Sequence, residues 1–203
     1  QQLLAEAGFP EGFEIDVHLA ALSESALPPA ESVATMSGGE RIVQTAVDSF
    51  GKLDIVVTVA GILRDRMVFN MTEEEWDGVL QVHLYGAFNM VRNVVPHLVK
   101  QRYGRIVLFS SGSGLGASGQ ANYAATKAGV ASLAEGLRME MIGKPITVST
   151  LYPGYIRSEI NEKVEKAPFM VDTETGCKAL VRAIEKEPAK AYVPSWPWAP
   201  LGF

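Results

Sequence analysis

Tyr123 and Lys127 stand four residues apart in the stretch GSGLGASGQANYAATKAG, residues 112–129. On a helix that spacing puts both side chains on one face. A tyrosine phenol ordinarily titrates at about pH 10. A neighbouring ammonium favours the phenolate, so the spacing predicts a lowered value and a usable acid or base nearer neutrality. Just upstream, Ser110 and Ser111 close an apolar run. A hydroxyl from either can hold a carbonyl oxygen by hydrogen bond. Together these groups suit carbonyl reduction or its reverse, the phenol giving a proton to oxygen while hydride reaches carbon. No side chain supplies hydride, so a nicotinamide cofactor, NAD or NADP, is implied.

The same stretch holds a G-x-G-x-x-G, Gly114, Gly116 and Gly119. It follows an apolar run and opens a helical pattern, the context a phosphate-cradling loop needs. Such a loop also needs an acidic residue at the tip of a second strand about twenty positions on. The next acidic residue here, Glu135, falls mid-helix, and the helix runs on too long. The serine, tyrosine and lysine therefore read as the chemistry, and the glycines as their loop.

The surrounding elements are legible from periodicity. ERIVQTAVDSFG puts Ile42, Val43, Ala46, Val47 and Phe50 on one helical face, with Gly51 as the stop. LDIVVTVAG, GRIVLFSS and ITVSTLYPG are continuous apolar runs of the kind buried on both faces of a parallel sheet. Residues 72–101 open on Thr72 and Glu75, a capping box, and Pro96 should bend the helix that follows. A helix over 121–141, another near 172–187 and a short strand AYVP complete the alternation. FEIDVHL, residues 13–19, alternates apolar and polar and predicts a further strand. Strands alternating with helices predict an α/β fold, a three-layer Rossmann-like doubly wound parallel sheet. Ligands then bind at the carboxyl ends of the strands, on the loops AGILRDR from 60, SSGSG from 110 and PGYIRSE from 153.

GRIVLFSSGSG and GQANYAATKAG resemble the active-site segment of the classical short-chain dehydrogenase/reductase family. FGKLDIVVTVAGILRDRM resembles the family's fourth strand and its Asn-Asn-Ala-Gly motif, and VHLYGAF the helix with a further catalytic asparagine. YPGYIRSEI resembles the Pro-Gly turn that meets the nicotinamide. The likeness runs from about Glu31 to about Pro194, and is especially close to the branch with the β-oxidation hydroxyacyl dehydrogenases. The resemblance implies that Tyr123 is the catalytic acid/base and that Lys127 lowers its pKa and bonds the nicotinamide ribose. It implies that Pro153, Gly154 and Ile156 line the nicotinamide, that Ser158 lies near the phosphates, and that Ala60 and Gly61 lie along the adenosine half. The carbonyl-orienting serine is Ser110 by the family's usual thirteen-residue spacing, and Ser111 by its Ser-x-x-Gly pattern; we prefer Ser111. The long helices, residues 72–101 and 120–142, are those that pack across subunits in the family, implying a homodimer or homotetramer.

Three departures stand out. Thr58-Val59 replaces the asparagine pair, and His83 takes the place of the helix asparagine, where an imidazole can hold a water in a proton relay. The family's opening strand and Thr-Gly-x-x-x-Gly-x-Gly turn have no counterpart in residues 1–40, where Gly38-Gly39 precedes a helix without a strand before it. The chain thus reads as an atypical segment 1–36 followed by a single domain 37–203. Residues 1–19 resemble a short piece of periplasmic oligopeptide-binding proteins, too short to form a pocket. Without the opening unit, LDIVV becomes an apolar, exposed edge strand. PSWPWAPLGF breaks off where relatives continue, and its Trp196 and Trp198 suit a subunit or membrane-surface contact or packing onto the domain.

Bulk properties bound the partners. A net charge of −5 and pI near 5.3 weigh against nucleic acid or an anionic membrane. The one cysteine, Cys177, staples nothing, and the three histidines lack metal-ligand spacing, so no metal and a reducing, cytoplasmic setting are expected. The start QQLLAEAGFPEG has no signal-peptide pattern. The expectation is an oxidoreductase for a secondary alcohol or ketone, its small-molecule substrate a 3-hydroxyacyl compound, steroid or other lipid. The alternative is a non-catalytic relative that keeps the fold and dimerises.

Overall fold

The computed structural model describes residues 32–158, 161 and 167–200, apart from the side chains of Ser113 and Leu115. The strand expected over residues 13–19 lies outside them.

Helix α1, Met36–Phe50, is capped by Thr35, whose hydroxyl accepts from the Gly38 amide, and stops at Gly51 in a left-handed conformation. Gly38 and Gly39 lie in its first turn rather than ahead of it. Ile42 and Val43 are buried as the periodicity predicts, whereas Phe50 at the helix end is half exposed. Strand β1, Ile55–Thr58, follows, and then a loop to helix α2, Glu73–Leu80. The capping box forms: Glu75 N–H donates to the Thr72 hydroxyl, and Thr72 N–H to the Glu75 carboxylate.

The long helix is not interrupted where its proline suggested. One π turn, Gln81–Tyr85, separates α2 from α3, Gly86–Gln101, and Pro96 sits inside α3. The Gly86 amide reaches back five residues to the Gln81 carbonyl. Such single π turns recur at functional sites, because the extra residue re-aims a side chain. Here it carries His83.

Strand β2, Gly104–Phe109, helix α4, Ala121–Glu140, strand β3, Ile146–Pro153, helix α5, Thr173–Glu185, and strand β4, Lys190–Val193, follow in order. The four strands form one parallel sheet in chain order β1-β2-β3-β4. Ile55 pairs with Arg105, Arg105 with Thr147, and Thr150 with Lys190.

Apolar side chains cover both faces. On one, Val56, Ile106, Leu108 and Val148 meet Val94 and Leu98 of α3 and Val130 and Ala134 of α4. On the other, Val107, Leu151 and Val193 meet Leu180 and Ile184 of α5. Helices on both sides of a parallel sheet give the expected three-layer, doubly wound arrangement. Among the described residues β1 is an edge, paired to β2 alone. It is less exposed than predicted: Leu53, Ile55 and Val56 are buried, and the exposed apolar side chain there is Val59. Among the described residues no helix is long and apolar enough to cross a membrane.

Candidate active site

The carboxyl ends of β1, β2 and β3 present three loops, and the chemistry-bearing residues gather on the first two and on α4. Helix α4 brings Tyr123 and Lys127 to one side: the Lys127 ammonium nitrogen lies 5.4 Å from the centre of the Tyr123 ring. Lys127 is buried, and Nζ donates to the carbonyl of Phe109 at the end of β2, 2.9 Å away. Burial pushes its pKa down to about 8.

The two serines separate. Ser110 is buried and its hydroxyl donates to the Lys127 carbonyl at 2.8 Å, tying β2 to α4. Ser111 hydrogen-bonds the Tyr123 phenol. The Gly114 amide closes the Ser-x-x-Gly turn onto the Ser111 carbonyl at 3.0 Å. A side chain at Gly114 would meet the Ala128 amide at 3.3 Å, so the bare glycine lets this turn lie against α4. Gly116 and Gly119 hold left-handed backbone, φ 110° and 77°. The glycine motif thus shapes the serine loop.

Tyr123 does not carry the lowered pKa that the Lys127 spacing suggested. Burial pushes the phenol above the ordinary tyrosine value, against the Ser111 hydrogen bond, and the negative charge of Asp65 and the Tyr155 phenol push the same way. The ammonium lies over the ring and is engaged by Phe109, so it does not overcome the loss of water around the oxygen.

His83 is buried, with its ring edge-to-face against Tyr123, centroids 5.1 Å apart. Its Nε2 lies 3.1 Å from the Ile62 amide and 2.8 Å from the Ile62 carbonyl, so this nitrogen engages the β1 loop. Nδ1 is buried and unpartnered within the described residues. Burial first, and the Lys127 charge second, depress its pKa to about 4, against the Ile62 bond. The imidazole is therefore neutral at physiological pH. A side chain at Gly61 would come within 2.5 Å of His83 Cε1, which explains glycine at that position.

Ala60 and Gly61 are half-buried on the β1 loop beside His83. Pro153 ends β3, and Ile156 bridges to Val171. Ser158 is exposed, its amide donating to Asn161 Oδ1 at 3.0 Å. The open face of Gly154 is filled by the Trp198 indole, whose ring also meets Tyr155 and Phe169. Trp198 is thus packed onto the domain, while Trp196 is largely exposed.

One residue escaped the sequence reading. Asn122 is fully buried. Its Nδ2 donates to the carbonyls of Arg64 and Glu75, at 3.1 and 3.2 Å, and its Oδ1 accepts from the Tyr123 amide at 2.8 Å. In the chain it is an amide beside the candidate acid, and no local pattern marks it out.

A parallel sheet with helices on both faces, and a serine, a tyrosine and a lysine gathered at the carboxyl ends of its strands, defines a Rossmann-like α/β architecture. Residues 13–168 match the model of the short chain dehydrogenase family, and the chain belongs to it. The matched range opens within the stretch 1–36. The chain is 43% identical over 130 residues to the 3-oxoacyl-(acyl-carrier-protein) reductase FabG of Thermotoga maritima, covering 63% of this chain and 53% of that protein. It is 42% identical over 156 residues to an uncharacterized oxidoreductase of Mycobacterium tuberculosis, covering 76% and 62%. A crystal structure of a short chain dehydrogenase from Mycobacterium avium superposes with a TM-score of 0.58 at 43% identity, over 61% of this chain and 45% of that one. The chain thus spans about half to three-fifths of the length of these relatives.

Proposed function

We propose that this chain carries the catalytic half of an NAD(P)-dependent oxidoreductase that interconverts a ketone and a secondary alcohol. The observation that carries the reading is the Ser111 hydroxyl on the Tyr123 phenol, with Lys127 across the ring. A carbonyl oxygen inserted between serine and phenol accepts from both. Tyr123 gives its proton to that oxygen in reduction and takes it back in oxidation. A raised pKa keeps the phenol protonated, which suits it as the acid of the reductive direction. Lys127 holds positive charge near the phenolate that forms, and Phe109 anchors it.

The residues fit the nicotinamide end of the cofactor. The ammonium has three donors, and Phe109 takes one, which leaves donors for the paired hydroxyls of a ribose. A nicotinamide held there would supply or accept the hydride. Pro153 and Ile156 would line its place, with Gly154 between them covered by the Trp198 indole; Ala60 and Gly61 would line the adenosine side, and Ser158 the phosphates. His83 acts by bracing the β1 loop against Tyr123, with Nδ1 left for a water. Among substrates, the name of the Thermotoga relative favours a 3-oxoacyl group over a steroid. A single cysteine and an acidic charge support a cytoplasmic setting.

The test is turnover of NADH or NADPH with a panel of 3-oxoacyl and other ketones, by the chain and by Tyr123→Phe. Loss of on the order of 10²- to 10⁴-fold in kcat is expected from removing a positioned acid. Unchanged turnover in the variant overturns the role of Tyr123. Melting temperature against cofactor concentration reports binding independently, since a ligand of the folded state must raise it.

A further inference from the structure

We propose that Asn122 is a positioning residue for Tyr123, clamping the loop after β1 and the first turn of α2 to the start of α4. The inference deepens the functional reading above and rests on Tyr123 being its acid.

Three elements meet at this one amide. Both protons of Nδ2 are spent on backbone carbonyls, Arg64 in the β1 loop and Glu75 in α2. Its oxygen takes the Tyr123 amide, one of the first-turn helix N–H groups that have no partner inside the helix. The side chain is fully buried and all three of its contacts go to main chain, so it sets backbone positions. Gln120, two residues before, adds a second tie to the same loop by donating to the Asp65 carboxylate at 2.8 Å. The Arg66 amide adds a third, donating to the Gly119 carbonyl at 2.7 Å. The loop so held carries Ile62, which engages His83, and His83 packs on the Tyr123 ring. A short closed circuit therefore runs from Asn122 through the loop to His83 and back to Tyr123.

Releasing the clamp opens the wall of the phenol. The groups that face Tyr123 are His83 from the π turn, Lys127 from its own helix, Ser111 from the β2 loop, Asp65 from the β1 loop and Tyr155 from the β3 turn. Of these, Asp65 rides on the clamped loop. When the loop moves away, water reaches the phenol and the carboxylate recedes. Both changes lower the phenol's titration point, so their signs agree.

The full chain, labelled at tyrosine Cζ with carbon-13, reports each of its six tyrosines during a pH titration by NMR. Tyr123→Phe assigns the signal. In Asn122→Ala the Tyr123 midpoint is expected to fall toward that of a free tyrosine, while the other five stay in place. Asn122→Ser keeps an acceptor for the Tyr123 amide and loses the two-carbonyl clamp, so it should show the same fall with a smaller loss of stability. A Tyr123 midpoint unchanged in a folded variant overturns the proposal, as does a shift shared by all the tyrosines. The unmutated protein adds a check that needs no variant: the Tyr123 amide should exchange slowly with deuterium, and exchange at the rate of a free helix end overturns the clamp. The titration needs no turnover, so an inactive chain sinks the functional reading while leaving this result standing.

Discussion

At His83 a titratable group is buried, and the consequence is a pH-dependent stability. Its folded pKa, about 4, lies below the ordinary histidine value. The unfolded chain therefore binds a proton over that interval when the folded one does not. The stability this group contributes is fully present above about pH 6.5 and is lost as pH falls toward 4. The gap corresponds to roughly 3 kcal/mol. Urea unfolding at pH 7 and pH 4.5 should show the loss in the wild type, and His83→Asn should flatten most of it. Equal slopes in both proteins would remove His83 from that role. Lys127 works the same way in a higher window. Its depressed pKa, about 8, means stability rises between pH 8 and the ordinary lysine value, as the buried ammonium discharges. At neutral pH Lys127 keeps its charge, which the proposed chemistry needs.

At the scale of elements, the β1 loop, the π turn and α4 form one unit around Tyr123. Gly61 is its tightest point, because His83 Cε1 occupies the space of a side chain there. Gly61→Ala should cost about 1–3 kcal/mol, the usual range for overpacking a filled interior. It should also move the imidazole off Tyr123. Equilibrium denaturation measures the first effect, and the NMR shift of the His83 ring the second; a neutral substitution would show that the loop adapts freely. The capping box, the Gly51 stop and all four strands were legible because each follows from neighbours within a few residues. The π turn was not, since Pro96 drew the expected irregularity to a position inside α3. A proline costs one hydrogen bond where it stands, but the extra residue of a π turn answers to what packs beside it. Ser110 and Ser111 likewise could not be told apart by spacing alone; the fold aims one at a buried carbonyl and the other at the phenol.

For the molecule as a whole, the end of the π turn and α3 present Tyr85, Phe88 and Val99 on an outward face, 50%, 43% and 42% exposed. Their spacing places them on one side of a helix. A homodimer or homotetramer through the long helices would cover this face. Light scattering should give a multiple of the 21.9 kDa chain mass, and Phe88→Glu should shift it to the single mass by burying a charge in the contact. A monomer in the unmutated protein would set that assembly aside. Among the described residues β1 is also an edge; Ile55 and Val56 are buried, so what it offers there is mainly the backbone groups of one strand.

The order of strands and helices, the doubly wound class and the shared helical face of Tyr123 and Lys127 were determined by the sequence by itself. Each depends on local periodicity, on caps and on turn residues, and these act over a few neighbours. The ionisation of the phenol was decided by the tertiary structure alone. A spacing of four predicts attraction between phenol and ammonium, and it says nothing of the water removed by His83, Asp65's loop and the end of β2. Those groups come from positions tens of residues away, and desolvation by them outweighs a charge one helical turn off. The same holds for Asn122, an ordinary amide in the chain that becomes a clamp only when three elements close around it.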